Sequence, residues 1–312
     1  MAKAFVGSNP TPCTTKMREK FKGCLLGTAV GDALGSSRGE FSGRWTDDTH
    51  MTMGLAQSLV ERGDFDGEHL AWTFLRNYER EPWRGYAPGP PTVFSLLRAG
   101  VPWNEASRHL FGGRGSYGNG AAMRVAPVGL LYHDDPVRLR EVAEAQSLLT
   151  HAHELGREGA VLQARAVSLA LLAPPPSSFD PFDFLEELEG FTSHPVYLEK
   201  LGRVRRMLEE GGRRERVVRE LGNGVEAHRS VPTALCSFLL HFGSFKEALL
   251  YAVGLGGDTD TIGAMTGALS GAYHGEGGIP EEWRERVERR EELEALADDL
   301  WRLKAQKGKG GG

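Results

Sequence analysis

Two short stretches of the chain place neighbouring carboxylates and hydroxyls at the predicted start of a helix. They are Thr46-Asp47-Asp48 and Asp258-Thr259-Asp260-Thr261. Side chains that offer only oxygen atoms favour hard divalent cations such as Mg²⁺, Mn²⁺ or Ca²⁺ over zinc. If the two stretches meet in the fold, they predict a two-metal site in which Asp260 bridges the ions.

A simpler interpretation of the second stretch is that Asp258 or Asp260 only caps a helix. One cap needs one acidic residue, however, and a second carboxylate two positions away adds repulsion unless a cation absorbs it. An EF-hand loop is excluded, because its twelfth position requires a bidentate Glu and this chain has Leu269 there.

The helix after Asp260 has small residues along one face, which allows a neighbouring backbone to come very close. These residues are Gly263, Ala264, Gly267, Ala268, Gly271 and Ala272. We therefore expect this helix to lie at the centre of the fold with its N-terminus at a site. No sustained strand alternation occurs, so the sequence predicts an all-α, single-domain bundle over residues 15–303, with a flexible arm at 1–14 and a flexible tail at 304–312.

Composition excludes several classes of function. The 312 residues include 37 basic and 42 acidic side chains, and a net charge of -5 argues against general nucleic-acid binding. The three cysteines have no C-x-x-C spacing, which is typical of a protein from the reducing cytoplasm. No apolar run reaches the roughly 18 residues of a membrane helix, so we expect no membrane partner.

A glycine-rich loop contains the pattern Gly113-x-Gly115-x-x-Gly118. No strand precedes it, so a Rossmann domain is excluded. Its backbone N–H groups could hold a diphosphate, with Ser116 and Asn119 as further donors, or the loop could be purely structural. Three nearby aromatic side chains could likewise bind a ligand or be purely structural. Phe111 and Tyr117 could stack on a base or belong to the core, and His151 could be a structural histidine.

Six motifs, in order, resemble the ADP-ribosylglycohydrolase family. They are GCLLGTAVGDALG (residues 23–35), GRWTDDTHM (43–51), GSYGNGAAMR (115–124), LTHA (149–152), SVPTA (230–234) and LGGDTDT (255–261). The resemblance covers roughly residues 17–283. It is strongest to the branch that hydrolyses O-linked ADP-ribose, including serine-linked chains, poly(ADP-ribose) and O-acetyl-ADP-ribose.

The resemblance implies an orthogonal all-α bundle with two Mg²⁺ or Mn²⁺ ions at the base of an ADP-ribose cleft. The implied metal ligands are Thr46, Asp47, Asp48, Asp258, Asp260 and Thr261. The implied substrate-binding residues are Gly115, Ser116, Tyr117 and Gly118 at the diphosphate, Phe111 and Tyr117 at the adenine, and His151, with Asn119 on the same loop. Family members place a catalytic Glu eight residues after the glycine that corresponds to Gly31, whereas here Glu40 lies one position further.

The sequence thus predicts a hydrolase that cleaves the glycosidic bond at the ribose C1″ with two Mg²⁺ ions as cofactor, and with Glu40, Asp47 and Asp260 as catalytic residues. The expected partner is an ADP-ribosylated protein or an ADP-ribose-containing small molecule, and we expect a cytoplasmic monomer. The alternatives are a catalytically weak ADP-ribose-binding protein, an arginine-linked hydrolase and a two-metal phosphoesterase.

Overall fold

The computed structural model describes residues 12–38 and 40–308, and within them the regular structure is helical. The α-helices are α1 (Pro12–Ser36), α2 (Asp47–Arg62), α3 (Gly67–Arg80), α4 (Gly89–Arg98), α5 (Gly120–Met123), α6 (Ala126–Leu131), α7 (Pro136–Ser147), α8 (Glu154–Leu172), α9 (Pro181–Phe191), α10 (Pro195–Glu210), α11 (Arg214–Glu220), α12 (Ala227–Leu240), α13 (Phe245–Val253), α14 (Thr259–His274), α15 (Glu281–Arg286) and α16 (Arg290–Lys307). Two 3₁₀ segments, Ala106–Gly113 and Glu276–Gly278, complete the set, and the predicted all-α class is confirmed.

Helices α1 and α14 form an antiparallel pair at the centre of the molecule, with their backbones in direct contact. Every fourth residue of α1 in this contact is a glycine, and each faces a residue of α14: Gly23 faces Gly271, Gly27 faces Gly267, Gly31 faces Gly263 and Gly35 faces Thr259. A methyl group added at any of these glycines would overlap a backbone carbonyl of the other helix. The predicted thin central helix is thus α14, which packs on an equally thin partner.

The antiparallel pairing brings the C-terminal end of α1 to the N-terminal end of α14. There the Thr259 hydroxyl donates a hydrogen bond of 2.9 Å to the Gly35 carbonyl. Helices α8, α12 and α13 pack around α14, and α2 and α16 pack on α1. Outside the glycine face, α1 buries Leu25, Leu26 and Val30 completely, and such side chains contribute about 1.5–3 kcal/mol each.

The structure corrects two predicted boundaries. Helix α1 begins at Pro12, inside the predicted arm, and α16 continues to Lys307, inside the predicted tail. The remainder of the arm, residues 1–11, lies outside the described residues. The charged segment after Pro280 forms two helices, α15 and α16, because Val287 is extended and Arg289 is left-handed (φ 56°) between them. Within the described part of the chain, no helix is long and apolar enough to cross a membrane.

Candidate active site

The N-terminal ends of α2 and α14 meet at a cavity of about 160 Å³. Four carboxylates line it, Asp47 and Asp48 from α2 and Asp258 and Asp260 from the start of α14. The structure therefore brings together the two stretches that the sequence singled out. The other lining residues are Met51, Gly85, Ala87, Pro90, Asn119, Gly120, Met123, Arg124, His151, Val225 and Thr261.

A larger cavity, of about 390 Å³, lies between α2, α3 and α16. Two of its acidic side chains already have a cationic partner: Arg289 is 3.0 Å from Glu81 and 2.6 Å from Glu292. Because these carboxylates are ion-paired, whereas those of the smaller cavity face one another, the smaller cavity is the better candidate for chemistry.

Asp32 of α1 fixes the position of the N-terminus of α2. Its two carboxylate oxygens accept hydrogen bonds from the Thr46 N–H at 3.0 and 2.9 Å. One of them also accepts from the Thr49 N–H at 3.1 Å and the Thr49 hydroxyl at 2.6 Å. Free N–H groups at a helix start need such acceptors, so Asp32 holds Asp47 and Asp48 against the central pair. Asp32 was not among the predicted site residues, although Gly31-Asp32 lies inside the first family motif.

The facing carboxylates perturb one another. Burial, followed by the charges of Asp32 and Asp260, raises the pKa of Asp47 to about 7. Burial, followed by the charges of Asp32, Asp260 and Asp47, raises the pKa of Asp48 well above its ordinary value. Burial also raises the pKa of Asp258 to about 6. Positive charge in the cavity would lower all three values.

Asp48 has a further distinguishing property. Its Oδ1 atom is buried and has no hydrogen-bond partner among the described residues. A buried oxygen without a partner is costly, so its position calls for a donor or a cation. In the part of the chain that the structure describes, no three His, Cys, Asp or Glu side chains already form a metal-ligand set.

Asp258 occupies the N-cap position of α14 but forms no capping hydrogen bond. Its Oδ2 atom accepts instead from the Asn119 side-chain amide at 2.5 Å, and that amide also donates to the Ser230 hydroxyl at 3.1 Å. The capping interpretation of Asp258 is therefore wrong. Asn119, predicted as a substrate donor on the glycine-rich loop, links that loop to Asp258.

The glycine-rich loop is held against the segment before α12. The Asn119 N–H donates to the Val225 carbonyl at 2.9 Å, and the Ala227 N–H donates to the Tyr117 carbonyl at 3.0 Å. Ser116 accepts from the Gly118 N–H at 3.1 Å through its hydroxyl. Gly115 has a φ of 72° and packs on the backbone of residues 152–153, where a side chain would clash. These contacts hold the loop beside the cavity.

The two aromatic side chains of this region are not core residues. Phe111 is 61% exposed and Tyr117 is 48% exposed. Phe111 also has a positive φ of 54°, which is uncommon for a bulky residue and often marks a functional segment. The core alternative is therefore wrong for both, and their role as base-stacking residues stays a prediction.

His151 is buried and lines the cavity together with Arg124. Burial and the nearby Arg124 charge lower the pKa of His151 to about 3, so the imidazole is neutral at physiological pH. Sequence reasoning assigned nothing to Arg124. The signal available was a single arginine in an otherwise apolar segment, Ala121-Ala122-Met123-Arg124-Val125.

Glu40 lies in the connection between α1 and α2 and is exposed. Its N–H donates to the Ser37 carbonyl at 3.2 Å. The structure does not place Glu40 among the residues that line the cavity. Its neighbour Gly39 lies outside the described residues. Both ends of the connection reach the site, because Gly35 contacts α14 and Thr46 caps α2.

A second connection, between α3 and α4, forms another wall of the cavity through Gly85 and Ala87. Arg84 anchors it, because its guanidinium lies 3.7 Å from the centre of the Trp45 ring and donates to Glu288 at 2.8 and 2.9 Å. Trp45 immediately precedes the Thr46-Asp47-Asp48 stretch, so the same contacts stabilise both walls. This anchor was absent from the sequence-based prediction.

We expect the pH dependence of stability to reveal these carboxylates. In metal-free protein, the folded-state pKa values of Asp32, Asp47 and Asp258 are raised from 3.8 to about 7, 7 and 6. The folded state then holds protons that the unfolded chain has released, so the contribution of these carboxylates to stability is greatest below about pH 4 and is lost as pH rises to about 7. His50 and His151, whose folded-state pKa values are lowered to about 4 and 3, act in the opposite direction below about pH 6.5, but equally with and without Mg²⁺. The melting temperature in Mg²⁺ minus that in a chelator should therefore grow as pH rises from about 4 to about 7. A difference that stays constant or shrinks across this window would contradict the prediction.

The family follows from comparison with known proteins. A family model described as ADP-ribosylglycohydrolase matches residues 14–310, so the chain belongs to the ADP-ribosylglycohydrolase family. Members of this family are glycosidic-bond hydrolases that act on ADP-ribosylated substrates, which confirms the predicted family and enzyme class.

Particular relatives place the chain within this class. It is 36% identical to human ADP-ribosylhydrolase ARH3 over 341 residues, covering 91% of this chain and 93% of that protein. It is 27% identical to ADP-ribosylarginine hydrolase Tri1 of Pseudomonas putida, covering 91% of this chain and 78% of Tri1. A solved structure described as an ADP-ribosylglycohydrolase-related protein complex matches with a TM-score of 0.73 and 31% identity, covering 93% of this chain and 99% of that one.

Proposed function

We propose that the enzyme is a Mg²⁺-dependent hydrolase of O-linked ADP-ribose that releases free ADP-ribose from serine-linked, polymeric or acetyl substrates. The observation that carries this proposal is the cavity where four carboxylates from two helix N-termini converge. The lower identity to a hydrolase named for ADP-ribosylarginine supports the O-linked branch over the N-linked one.

The residues of the cavity suit a pair of hard cations. Its four acidic side chains offer only oxygen atoms, Asp48 Oδ1 lacks a partner among the described residues, and burial with neighbouring negative charge raises the pKa of Asp47 and Asp48, which a bound cation would reverse. The proposed ligands are Thr46, Asp47, Asp48, Asp258, Asp260 and Thr261. When bound, two Mg²⁺ or Mn²⁺ ions supply the positive charge that orients the 2″ and 3″ hydroxyls of the ribose.

The remaining residues bind the rest of ADP-ribose. In this proposal the glycine-rich loop beside the cavity binds the diphosphate through backbone N–H groups other than those of Gly115, Gly118 and Asn119, which donate within the protein. Phe111 and Tyr117 are exposed and available to stack on adenine. Orientation by these contacts fixes the C1″ carbon and excludes misaligned water, which supplies a large part of the acceleration.

The bond that breaks joins C1″ to the acceptor oxygen. A water molecule adds its oxygen to C1″ and loses one proton, while the acceptor oxygen gains one, so the products are ADP-ribose and a free hydroxyl or acid. The transition state resembles an oxocarbenium ion and needs a carboxyl to transfer a proton. In our proposal Glu40 transfers this proton. Asp47 and Asp260 supply negative charge that balances the charge of the bound cations.

Glu40→Gln tests this role directly. The variant should lower kcat by about 100-fold or more, because the amide cannot transfer the proton, while ADP-ribose affinity changes little. Glu68→Gln, at an exposed position of α3, is the matched control and should keep full turnover. Full turnover in Glu40→Gln would remove Glu40 from the mechanism.

Product analysis tests the function as a whole. The purified full chain would be incubated, with Mg²⁺ or with a chelator, on a serine-linked ADP-ribosyl peptide, an arginine-linked peptide and O-acetyl-ADP-ribose. We expect Mg²⁺-dependent release of ADP-ribose from the two O-linked substrates alone. Release from the arginine-linked peptide would move the enzyme to the N-linked branch, and release of phosphate or AMP would indicate a phosphoesterase.

A specific observation favours one second candidate. Glu40 is exposed and lies outside the cavity lining, as it would in a protein that binds ADP-ribose without efficient catalysis. Calorimetric binding of ADP-ribose without release from any substrate would establish this binding function.

A further inference from the structure

A buried chain of hydrogen bonds lies at the wall of the cavity and is formed by Arg124, Thr150 and His151. Arg124 Nη1 is 2.8 Å from the Thr150 hydroxyl, and that hydroxyl is 2.7 Å from His151 Nδ1. All three residues are at least nine-tenths buried. The opposite ring atom, Nε2, lies against the glycine-rich loop at Gly118 and Gly120.

Arg124 is held in place by neutral groups. Its Nε donates to the Gln146 side-chain carbonyl at 2.8 Å, and Nη2 donates to the Gln146 backbone carbonyl at 2.9 Å. The guanidinium also lies 5.0 Å from the centre of the Phe74 ring. A guanidinium has donors and no acceptor, so its contact with Thr150 can only be a donated hydrogen bond.

The protons of this chain can now be assigned. The Thr150 hydroxyl accepts from Arg124 and carries one proton of its own. Among the described residues, the acceptor that this proton reaches is His151 Nδ1. Because the imidazole is neutral, a bare Nδ1 requires a proton on Nε2. His151 is therefore a hydrogen-bond donor at the ring edge that faces the loop and the cavity.

We propose that Arg124 and Thr150 are positioning residues that lock His151 as a neutral Nε2–H donor for an acceptor oxygen, hydroxyl or phosphate, of the bound ligand. This inference rests on the proposed function for the identity of the ligand, ADP-ribose. The fixed tautomer of His151, which we call the lock, is a property of the protein without ligand. An Nδ1–H tautomer would place two donors, Arg124 and the ring, on one hydroxyl and leave the Thr150 proton without an acceptor.

The tautomer can be measured without ligand. Long-range ¹H–¹⁵N correlation spectra of protein labelled at its ten histidines distinguish Nδ1–H from Nε2–H rings. A His151→Asn variant identifies the His151 signal by its loss. We expect the Nε2–H form in the wild type at neutral pH. An Nδ1–H or protonated ring at His151 would overturn the proposal.

Thr150→Val removes the hydroxyl and keeps the shape of the side chain. In this variant we expect a mixture of tautomers and a roughly tenfold weaker Kd for ADP-ribose by calorimetry, since a ligand hydrogen bond is lost in part of the population. Thr150→Ser should restore both. Thr28→Val, which removes a hydroxyl that is just as buried within α1, is the control and should change neither.

The outcomes separate the inference from the proposed function. A Thr150→Val protein with wild-type tautomer and affinity would overturn the positioning role. If the wild type has the Nε2–H ring and Thr150→Val loses it, but the wild type does not bind ADP-ribose, the lock stands and the proposed ligand is wrong.

Discussion

Replacing Asp48 by Asn is expected to lower turnover on a serine-linked substrate by about a thousandfold, the scale at which loss of one preorganised electrostatic group lowers kcat. Asp48 combines a buried oxygen without a partner with a pKa that burial and its neighbours' charges raise. The variant removes one of the proposed cation ligands. It should also remove most of the heat of Mg²⁺ binding in a calorimetric titration.

The same substitution should stabilise the metal-free protein, because it removes one of several like charges from the cavity. We expect a gain of about 1 kcal/mol in the free energy of unfolding, measured in a chelator at pH 8. Asp135→Asn is the control, because Asp135 caps α7 away from the cavity and Asn preserves a cap. If Asp48→Asn kept both turnover and Mg²⁺ binding, the proposed metal site would be wrong.

Gly267→Ala should destabilise the protein by at least about 3 kcal/mol, the upper range for overpacking a tightly packed contact. The added methyl group would overlap the Gly27 carbonyl of α1, and it would meet backbone rather than a movable side chain. The central helices must then separate. Asp32 and Asp258 lie at the ends of these helices, so we expect activity to fall with stability.

The chain contains a matched control for this prediction. Gly202 lies within α10, and a methyl group added there meets no atom within 4 Å. Gly202→Ala should be neutral or stabilise the protein by up to about 1 kcal/mol, since Ala is the better helix former. Urea denaturation of both variants provides the comparison. Equal effects at the two positions would show that close packing of α1 and α14 is not what Gly267 provides.

Local chemistry made several features predictable. The lack of any sustained strand alternation predicted the all-α class. The small face of α14 predicted a close helix contact at the centre of the fold. Acidic residues paired with hydroxyls predicted where charge would concentrate. Each of these properties depends on residues within about one or two turns of each other, which sequence spacing describes well.

The sequence did not identify the partners of these features. The four-residue spacing of the glycines in α1 predicts that they share one face of the helix. It does not predict that this face packs on α14. The sequence left open that Asp258 only caps a helix, whereas in the structure its carboxylate accepts from Asn119, more than a hundred positions away. In the same way, nothing near Glu40 in the chain indicates that it lies outside the cavity lining.

By itself, then, the sequence determined the helical class, the family and the two acidic stretches, because these follow from local periodicity and ordered motifs. Only the tertiary structure decided that Asp32 anchors α2 and that Arg124 is connected to His151 by hydrogen bonds through Thr150. Burial, pKa and hydrogen-bond partners depend on which distant segments come together. The packing of whole helices determines which segments meet, and the glycine contact between α1 and α14 lies at its centre.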